Sequence, residues 1–340
     1  RIRKDDLRET GRVNLSTEAW PIATPFHELA GRILARTTTP GDRADLRTVV
    51  HSLLAGGRGP WRDRVRVATS ADGLDFEELP GTVVEKASVP EAVVDEGGNV
   101  WLFYVDADLE ALTLAVEEGR PFPTGLVGFG GLAAARSTDG LRFERVELEI
   151  EGVVAGEVVD PEILVRPDGT YQLYYLGVPA GRLAPDTPDP ARAEGAHDFY
   201  LATSRDLVHW EEEGVAWTGP AGGADPTVFG RPEGPHYILG GGTGISEDGG
   251  HTFRPLEGVE IGRGWGQPEV VSVEGGFRAF YSTLEGIRSA FSKDGRSWRE
   301  EGVRLRGGAD PTVVRMPDGS WRLYFKVGGA GPVQEPSGRR

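Results

Sequence analysis

The chain has 340 residues with 50 glycines, 24 prolines, no cysteine and a formal net charge of −16. So much glycine and proline is incompatible with long helices, while 38% hydrophobic residues suffice for a packed core and exclude a disordered tail. Disulfides, Cys-ligated metals and thiol nucleophiles are excluded outright, and the acidic balance argues against nucleic acid and anionic membranes as partners.

Residues 1–46 stand outside the pattern that fills the rest of the chain. They are expected to form an N-terminal extension, with a short amphipathic helix over 26–36 after Thr24-Pro25, packed on the body as a lid or collar. The chain begins at Arg1 and not at Met, which fits a leader or tag removed upstream. No stretch reaches the roughly 18–20 apolar residues of a membrane span.

From about residue 48 two units alternate. One reads Ser-x-Asp, usually followed by Gly and then an aromatic: Ser70 with Phe76, Ser137 with Phe143, Ser204 with Trp210, Ser246 with Phe253, and Ser292 with Trp298. Ser and Asp bond local amides and Gly takes the positive-φ position of a tight turn, so these are read as structural turns whose aromatic plugs the core. The other unit reads X-Pro-Glu/Thr, an apolar run, a glycine turn and an apolar–aromatic strand. Its copies begin at Val89-Pro90-Glu91, Asp160-Pro161-Glu162, Asp225-Pro226-Thr227, Gln267-Pro268-Glu269 and Asp310-Pro311-Thr312.

Five copies of each predict five four-stranded modules. The first Ser-x-Asp unit precedes the first X-Pro unit, and the last X-Pro unit has no Ser-x-Asp unit after it. The expected solution is an all-β, five-bladed β-propeller of four-stranded antiparallel blades. Its ring is closed by N-terminal strands at 48–54 and 64–69 that complete the last blade and leave no long free edge. The propeller is expected over 47–329, with a tail at 330–340. Two longer inserts, at about 106–131 and 178–197, fall between second and third strands and are expected to wall the mouth into which the X-Pro-Glu/Thr residues point.

The chemistry is expected at that mouth. Proline suits the first position of an inner strand, and the residues flanking it, two apart, are read as sharing one side. They form a ring carrying Glu91, Asp160, Glu162, Asp225, Glu269 and Asp310, with Gln267 in line. Crowded carboxylates raise one another's pKa, giving a proton donor beside an ionised base or nucleophile, the chemistry of glycosidic bond cleavage. The competing reading is that Asp-Pro merely forms a turn whose carboxylate caps local amides. Around the ring, Arg263 and Trp265 sit in a Gly-Arg-Gly-Trp-Gly loop where the cation could bond hydroxyls and the indole stack on a sugar, or else wedge between blades. His197 ends the second insert and could reach the mouth. The six histidines show no metal-ligand spacing, so no zinc site is expected; calcium among the ring carboxylates is chemically permitted, though no loop matches an EF-hand. Glu233-Gly234-Pro235-His236 occupies a hairpin slot, and the glycines from Gly240 to Gly244 lack the Lys-Ser/Thr of a phosphate loop.

These motifs resemble the five-bladed propeller superfamily of arabinanases, levansucrases and invertases, which includes glycoside hydrolase family 43. The resemblance spans about residues 48–328 and rests on the repeated Asp-Pro strand starts, the Asp-Gly hairpins before Tyr-rich strands and the Ser-x-Asp-Gly turns. It implies a glycosidase acting on a furanoside-type or decorated saccharide, with an Asp base or nucleophile, a second Asp that orients substrate and tunes pKa, and a Glu acid. Carried onto this chain, the order gives Asp225, Asp310 and Glu91, or alternatively Asp310, Asp160 and Asp225. Glu162, Glu269, Gln267, Trp265, Arg263 and His197 are then expected to bind the carbohydrate. The resemblance also implies a monomer needing no cofactor and an extracellular or periplasmic location. The alternatives are a non-catalytic propeller that binds sugars or a partner around a structural or calcium-filled acidic ring, and a phosphorylase-like relative needing a cluster of cations at the mouth.

Overall fold

A computed structural model describes residues 62–107, 130–151, 158–177, 197–219, 225–240, 242–257, 261–262 and 265–328. Its strands pair into five sheets, each led by one X-Pro segment. Blade I runs from Ala87–Val94 through Val100–Ala107 and Gly130–Ser137 to Glu144–Val146. Blade II runs from Val158–Val165 through Tyr171–Gly177 and His197–Ser204 to His209–Gly219, whose outer edge is covered by Glu149–Glu151 in parallel. Blade III comprises Thr227–Gly230, His236–Leu239, Thr243–Ser246 and Arg254–Pro255; blade IV comprises Gly266–Val273, Gly276–Thr283, Gly286–Ser292 and Arg299–Arg306.

Blade V joins the two ends of the chain. Its inner strands, Ala309–Arg315 and Trp321–Gly328, are followed by Asp63–Ser70, which pairs with Trp321–Gly328 along its whole length. The expected closure by N-terminal sequence is therefore present. Beside Asp63–Ser70 lie Glu77–Glu78 and Val84–Glu85, which follow the Ser-x-Asp turn as in the other blades. Residues 48–54, the 1–46 extension with its expected helix, both inserts and the tail lie outside the described residues.

The core consists of five apolar clusters, one at each junction between neighbouring blades. The aromatic of each Ser-x-Asp unit reaches back into the preceding blade and meets an aromatic there edge to face. Phe76 meets Phe280, Phe143 meets Tyr324, Trp210 meets Phe103, Phe253 meets Tyr174 and Trp298 meets Phe229, with ring centroids 5.8 to 5.9 Å apart. The turns behave as structural devices. In the first, Ser70 Oγ donates to Asp72 Oδ1 at 2.9 Å, and that oxygen accepts the amides of Leu74 and Asp75; the other four repeat the Ser–Asp bond. Gly73, at φ 73°, supplies the left-handed position the turn requires.

All five residues before the inner-strand prolines adopt positive φ: Val89 at 47°, Asp160 at 54°, Asp225 at 46°, Gln267 at 38° and Asp310 at 48°. A residue before proline ordinarily prefers extended backbone, and a β-branched residue at positive φ is a true outlier. In blades I, IV and V the ladder skips at this point, with Ser88 opposite Val105 but Glu91 opposite Phe103, for instance. Blade II skips in the same way, with Val159 opposite Leu176 but Glu162 opposite Tyr174, so four of the inner strands open with a bulge that carries one extra residue. Strain of this kind, roughly 1–3 kcal/mol per residue, persists only where the surroundings enforce it and is concentrated at functional sites.

Candidate active site

The bulges separate the predicted ring of carboxylates into two tiers. The residues before proline form the outer tier, at the end of the ring where the inner strands begin. The residues after proline form the inner tier, one step further along the axis. Each carboxylate is electrostatically coupled within its own tier: Asp225 with Asp160 and Asp310, and Glu91, Glu162 and Glu269 with one another. The expectation that flanking residues share one side assumed a regular strand, and the extra residue of the bulge removes that regularity.

The inner tier reads Glu91, Glu162, Thr227, Glu269 and Thr312 around the ring, all buried. It stitches blades together. Thr312 Oγ1 of blade V donates to Glu91 Oε2 at 3.1 Å and accepts the Ala92 amide at 2.9 Å. Glu91 Oε1 accepts the Ile163 amide of blade II at 3.2 Å. Glu162 Oε1 accepts the Thr227 hydroxyl at 3.1 Å and the Val228 amide of blade III at 2.6 Å. Glu269 stands apart: it is 8% exposed and accepts no hydrogen bond among the described residues. Burial pushes Glu91 and Glu269 well above the ordinary carboxylate range, reinforced by their neighbouring glutamates, and burial lifts Glu162 to about 8 against the hydrogen bonds it accepts. Below this tier a channel of about 300 Å³, walled largely by valines including Val228, Val270 and Val313, extends to the hairpin ends of the inner strands.

One carboxylate oxygen from each of Glu91, Glu162 and Glu269 lies within 4.8 Å of the others. Hard oxygen donors converging in a buried site, one of them without a protein partner, fit a calcium-like cation and not a thiophilic metal.

The outer tier is treated differently. Burial, then Asp160, then Asp310 drive the Asp225 carboxyl well above its ordinary range, against a hydrogen bond from Gln267. The Asp225 amide points to Asp160 Oδ2 at 3.4 Å. Asp310, 3% exposed, is ion-paired with Lys326 of the adjacent strand, and its amide donates to Ser282 Oγ at 2.9 Å. Burial opposes the charge on Lys326, but Asp310 and Asp63 outweigh it and hold the ammonium protonated. Asp63 is lifted to about 6 by burial, with Asp310 adding to the rise and Lys326 and Ser88 resisting it. Neither Lys326 nor Asp63 was singled out from the sequence. The available signal is a lysine inside the otherwise apolar run Leu323-Tyr324-Phe325-Lys326-Val327.

Of the remaining candidates, Trp265 is packed as a wedge, stacked on Tyr281 at 4.6 Å and edge-on to Trp298, with Gly262 close against the indole. His197 begins the third strand of blade II opposite Gly219, at the same end of the blade as the Val158 start of its inner strand. Arg263 lies outside the described residues. The strand ends bordering both inserts, Ala107 with Gly130 and Gly177 with His197, also lie at the outer-tier end.

No family model and no curated protein matches the sequence. Solved structures do match. A thermostable family-43 glycoside hydrolase is similar at 14% identity and a TM-score of 0.47, over 74% of this chain and 95% of that one. An α-L-arabinofuranosidase from Clostridium thermocellum ATCC 27405 is similar at 15% identity and a TM-score of 0.45, over 70% and 80%. A β-xylosidase/α-arabinofuranosidase of family 43 from a compost microbial metagenome, solved with xylotriose in a calcium-free form, is similar at 14% identity and a TM-score of 0.43, over 71% and 90%. The five-bladed ring of this chain stands on its own strand pairings.

Proposed function

We propose that the protein is a glycoside hydrolase acting on a furanoside-type or decorated saccharide, bound at the end of the ring where Asp160, Asp225 and Asp310 converge. The observation that carries the reading is the unequal treatment of two carboxyls in one tier. Asp225 is desolvated and crowded by like charge, which keeps a proton on it. Asp310 lies against a buried ammonium, which favours its ionised form. A protonated and an ionised carboxyl facing one substrate are the requirement of glycosidic cleavage. Asp225 gives its proton to the departing glycosidic oxygen, and Asp310 attacks the anomeric carbon or takes a proton from the attacking water. Asp160, beside Asp225, keeps the proton there by repulsion and is placed to accept a substrate hydroxyl. Gln267 orients Asp225. Glu91, which the family order offered as acid, is engaged by Thr312 and Ile163 in the inner tier, so Asp225 takes that role in this reading.

Calcium held by Glu91, Glu162 and Glu269 belongs to the same reading as a support beneath the outer tier; when bound it supplies positive charge that offsets the three carboxylates. A polymeric plant or bacterial saccharide as substrate goes with an extracellular or periplasmic location, and the site needs one chain only.

The test is a screen of aryl furanosides and polysaccharides with wild type and with Asp160→Asn, Asp225→Asn and Asp310→Asn. Asp310→Asn is expected to lose about three orders of magnitude or more in kcat. Asp225→Asn should lose about 10²–10⁴-fold on saccharides but much less on aryl substrates, whose leaving group needs no proton. Sugar binding without turnover, unchanged in all three variants, would establish the non-catalytic alternative instead.

A further inference from the structure

A cation that reaches the outer tier does not come from a strand that lines the axis. Lys326 lies in the second strand of blade V, directly opposite Ala309 at the start of the inner strand. Its ammonium meets Asp310 Oδ2 and also feels the charge of Asp63. Asp63 opens the closing strand of the same blade, is 8% exposed, and accepts a hydrogen bond from Ser88 Oγ of blade I at 3.0 Å. Apart from Lys326, the Asp310 side chain has no partner among the described residues. Lys326 is therefore the one described counter-charge that touches Asp310, and the same ammonium feels the charge of a residue from the closing strand.

From this juxtaposition we infer that Lys326, anchored by Asp63 and Ser88, is the positioning residue that assigns the anionic role to Asp310 and leaves the proton with Asp225. The inference rests on the glycosidase reading for its catalytic meaning, but its electrostatic content stands without it. The charged groups facing Asp310 are Lys326 from its neighbouring strand, Asp63 from the closing strand, and Asp225, with Asp160 beyond. The first residue of the tier in blade I is Val89 and in blade IV is Gln267, neither of which adds charge. Because Lys326 is shared by two carboxylates, it acts on Asp310 most strongly when Asp63 is protonated, and Asp63 exchanges its proton at about pH 6. Asp63 and Asp310 thus compete for one ammonium, and removing either member of the Lys326–Asp63 pair should move Asp310 in opposite directions. Without Lys326, Asp310 loses its counter-ion; without the Asp63 charge, the ammonium belongs to Asp310 alone, and the two losses act on the Asp310 charge in opposite senses.

The experiment follows the carboxyl carbons of selectively ¹³C-labelled aspartate by NMR from pH 3 to 9 in the full chain, with Asp310→Asn used to assign the resonance. The variants are Lys326→Met, Lys326→Arg and Asp63→Asn. The expected result is an upward move of the Asp310 titration in Lys326→Met, a downward move in Asp63→Asn, and retention near wild type in Lys326→Arg. Where turnover is measurable, the acid limb of kcat/KM should move in the same directions, with kcat falling at least tenfold in Lys326→Met and KM changing little. If Lys326→Met does not fold, the opposed direction in Asp63→Asn and the retention in Lys326→Arg still decide the matter. An Asp310 titration that moves the same way in both, or in neither, would overturn the inference. Absence of any turnover in wild type would instead defeat the glycosidase reading and leave the titration result standing.

Discussion

Glu269 shows how a single side chain can carry an unresolved charge. Thr312 and the Ile163 amide serve Glu91, and Thr227 and the Val228 amide serve Glu162, but Glu269 has neither in the described structure. Three buried acids with no cation paired to them among the described residues must hold protons or bind a cation, because isolated buried charge is too costly to keep. The sign of the pH effect follows from Glu162. Its folded-state value of about 8 exceeds its ordinary 4.5, so the native state keeps a proton that the unfolded chain releases. The stability this contributes is complete below about pH 4.5 and is lost as pH rises toward 8. In buffer with chelator, thermal melts of wild type should fall over that interval, and melts of Glu162→Gln should fall less. Calcium added at pH 8 should raise the wild-type midpoint and leave that of the variant nearly unmoved. Most of this tier was legible in the sequence, because proline marks the start of each inner strand and the residue after it recurs as Glu or Thr. Its separation from the aspartates was not legible. Val89 and its four counterparts occupy a backbone region that their proline neighbours disfavour, and only the closed ring imposes it.

At the scale of an element, the Ser-x-Asp turn and its aromatic act as one device with two ends. The polar end fixes the turn: the amides of Asp75 and Leu74, then the Ser70 hydroxyl, hold the Asp72 carboxyl down at about 2. The apolar end places an aromatic ring in the neighbouring blade. Replacing Ser137 with Ala should cost about 1 kcal/mol, as for a lost helix cap. Replacing Trp210, which is 1% exposed against Phe103, with Ala should cost about 3–5 kcal/mol. Urea titrations of the two variants would check both figures. Since the turn aspartates are held below their ordinary 3.8, the stability they give is present above that pH and is lost as pH falls toward 2. A melt series from pH 5 to 2 should therefore decline, and decline less in Asp72→Asn. Sequence alone identified these turns as structural. It did not reveal that every aromatic reaches backward to the preceding blade, since that direction is a property of ring order and not of any local segment. For Trp265 the sequence left sugar stacking and an inter-blade wedge both open, and the indole packs on Tyr281 and Trp298.

At the scale of the whole molecule, the number of blades follows from counting repeats, and the need for closure follows from their offset. Lys326 and Asp63 act on each other across the closure from opposite ends of the ring, and no window of sequence contains both. Removing residues 1–70 should do more than shorten the protein. It exposes the edge of Trp321–Gly328, withdraws Val65, Val67 and Ala68 from the clusters flanking blade V, and takes Asp63 from the outer tier. The expected outcome is loss of the single cooperative unfolding transition and appearance of aggregates by light scattering.

The pairing that seals blade V also sets an order of events during synthesis. Thr69 and Arg322, joined across it by a hydrogen bond of 2.6 Å, are 253 residues apart in the chain. The closing strand is thus among the first segments of the ring to leave the ribosome and among the last to find its neighbour. Its outer edge can pair early with Glu77–Glu78 and Val84–Glu85, but through nearly all of translation its inner edge lacks its partner and is the kind of edge that recruits other chains. Contacts so distant in sequence make folding slow. The yield of this protein in a cell should accordingly depend on how long that one strand can be kept from the wrong partner, more than on the stability of any finished blade.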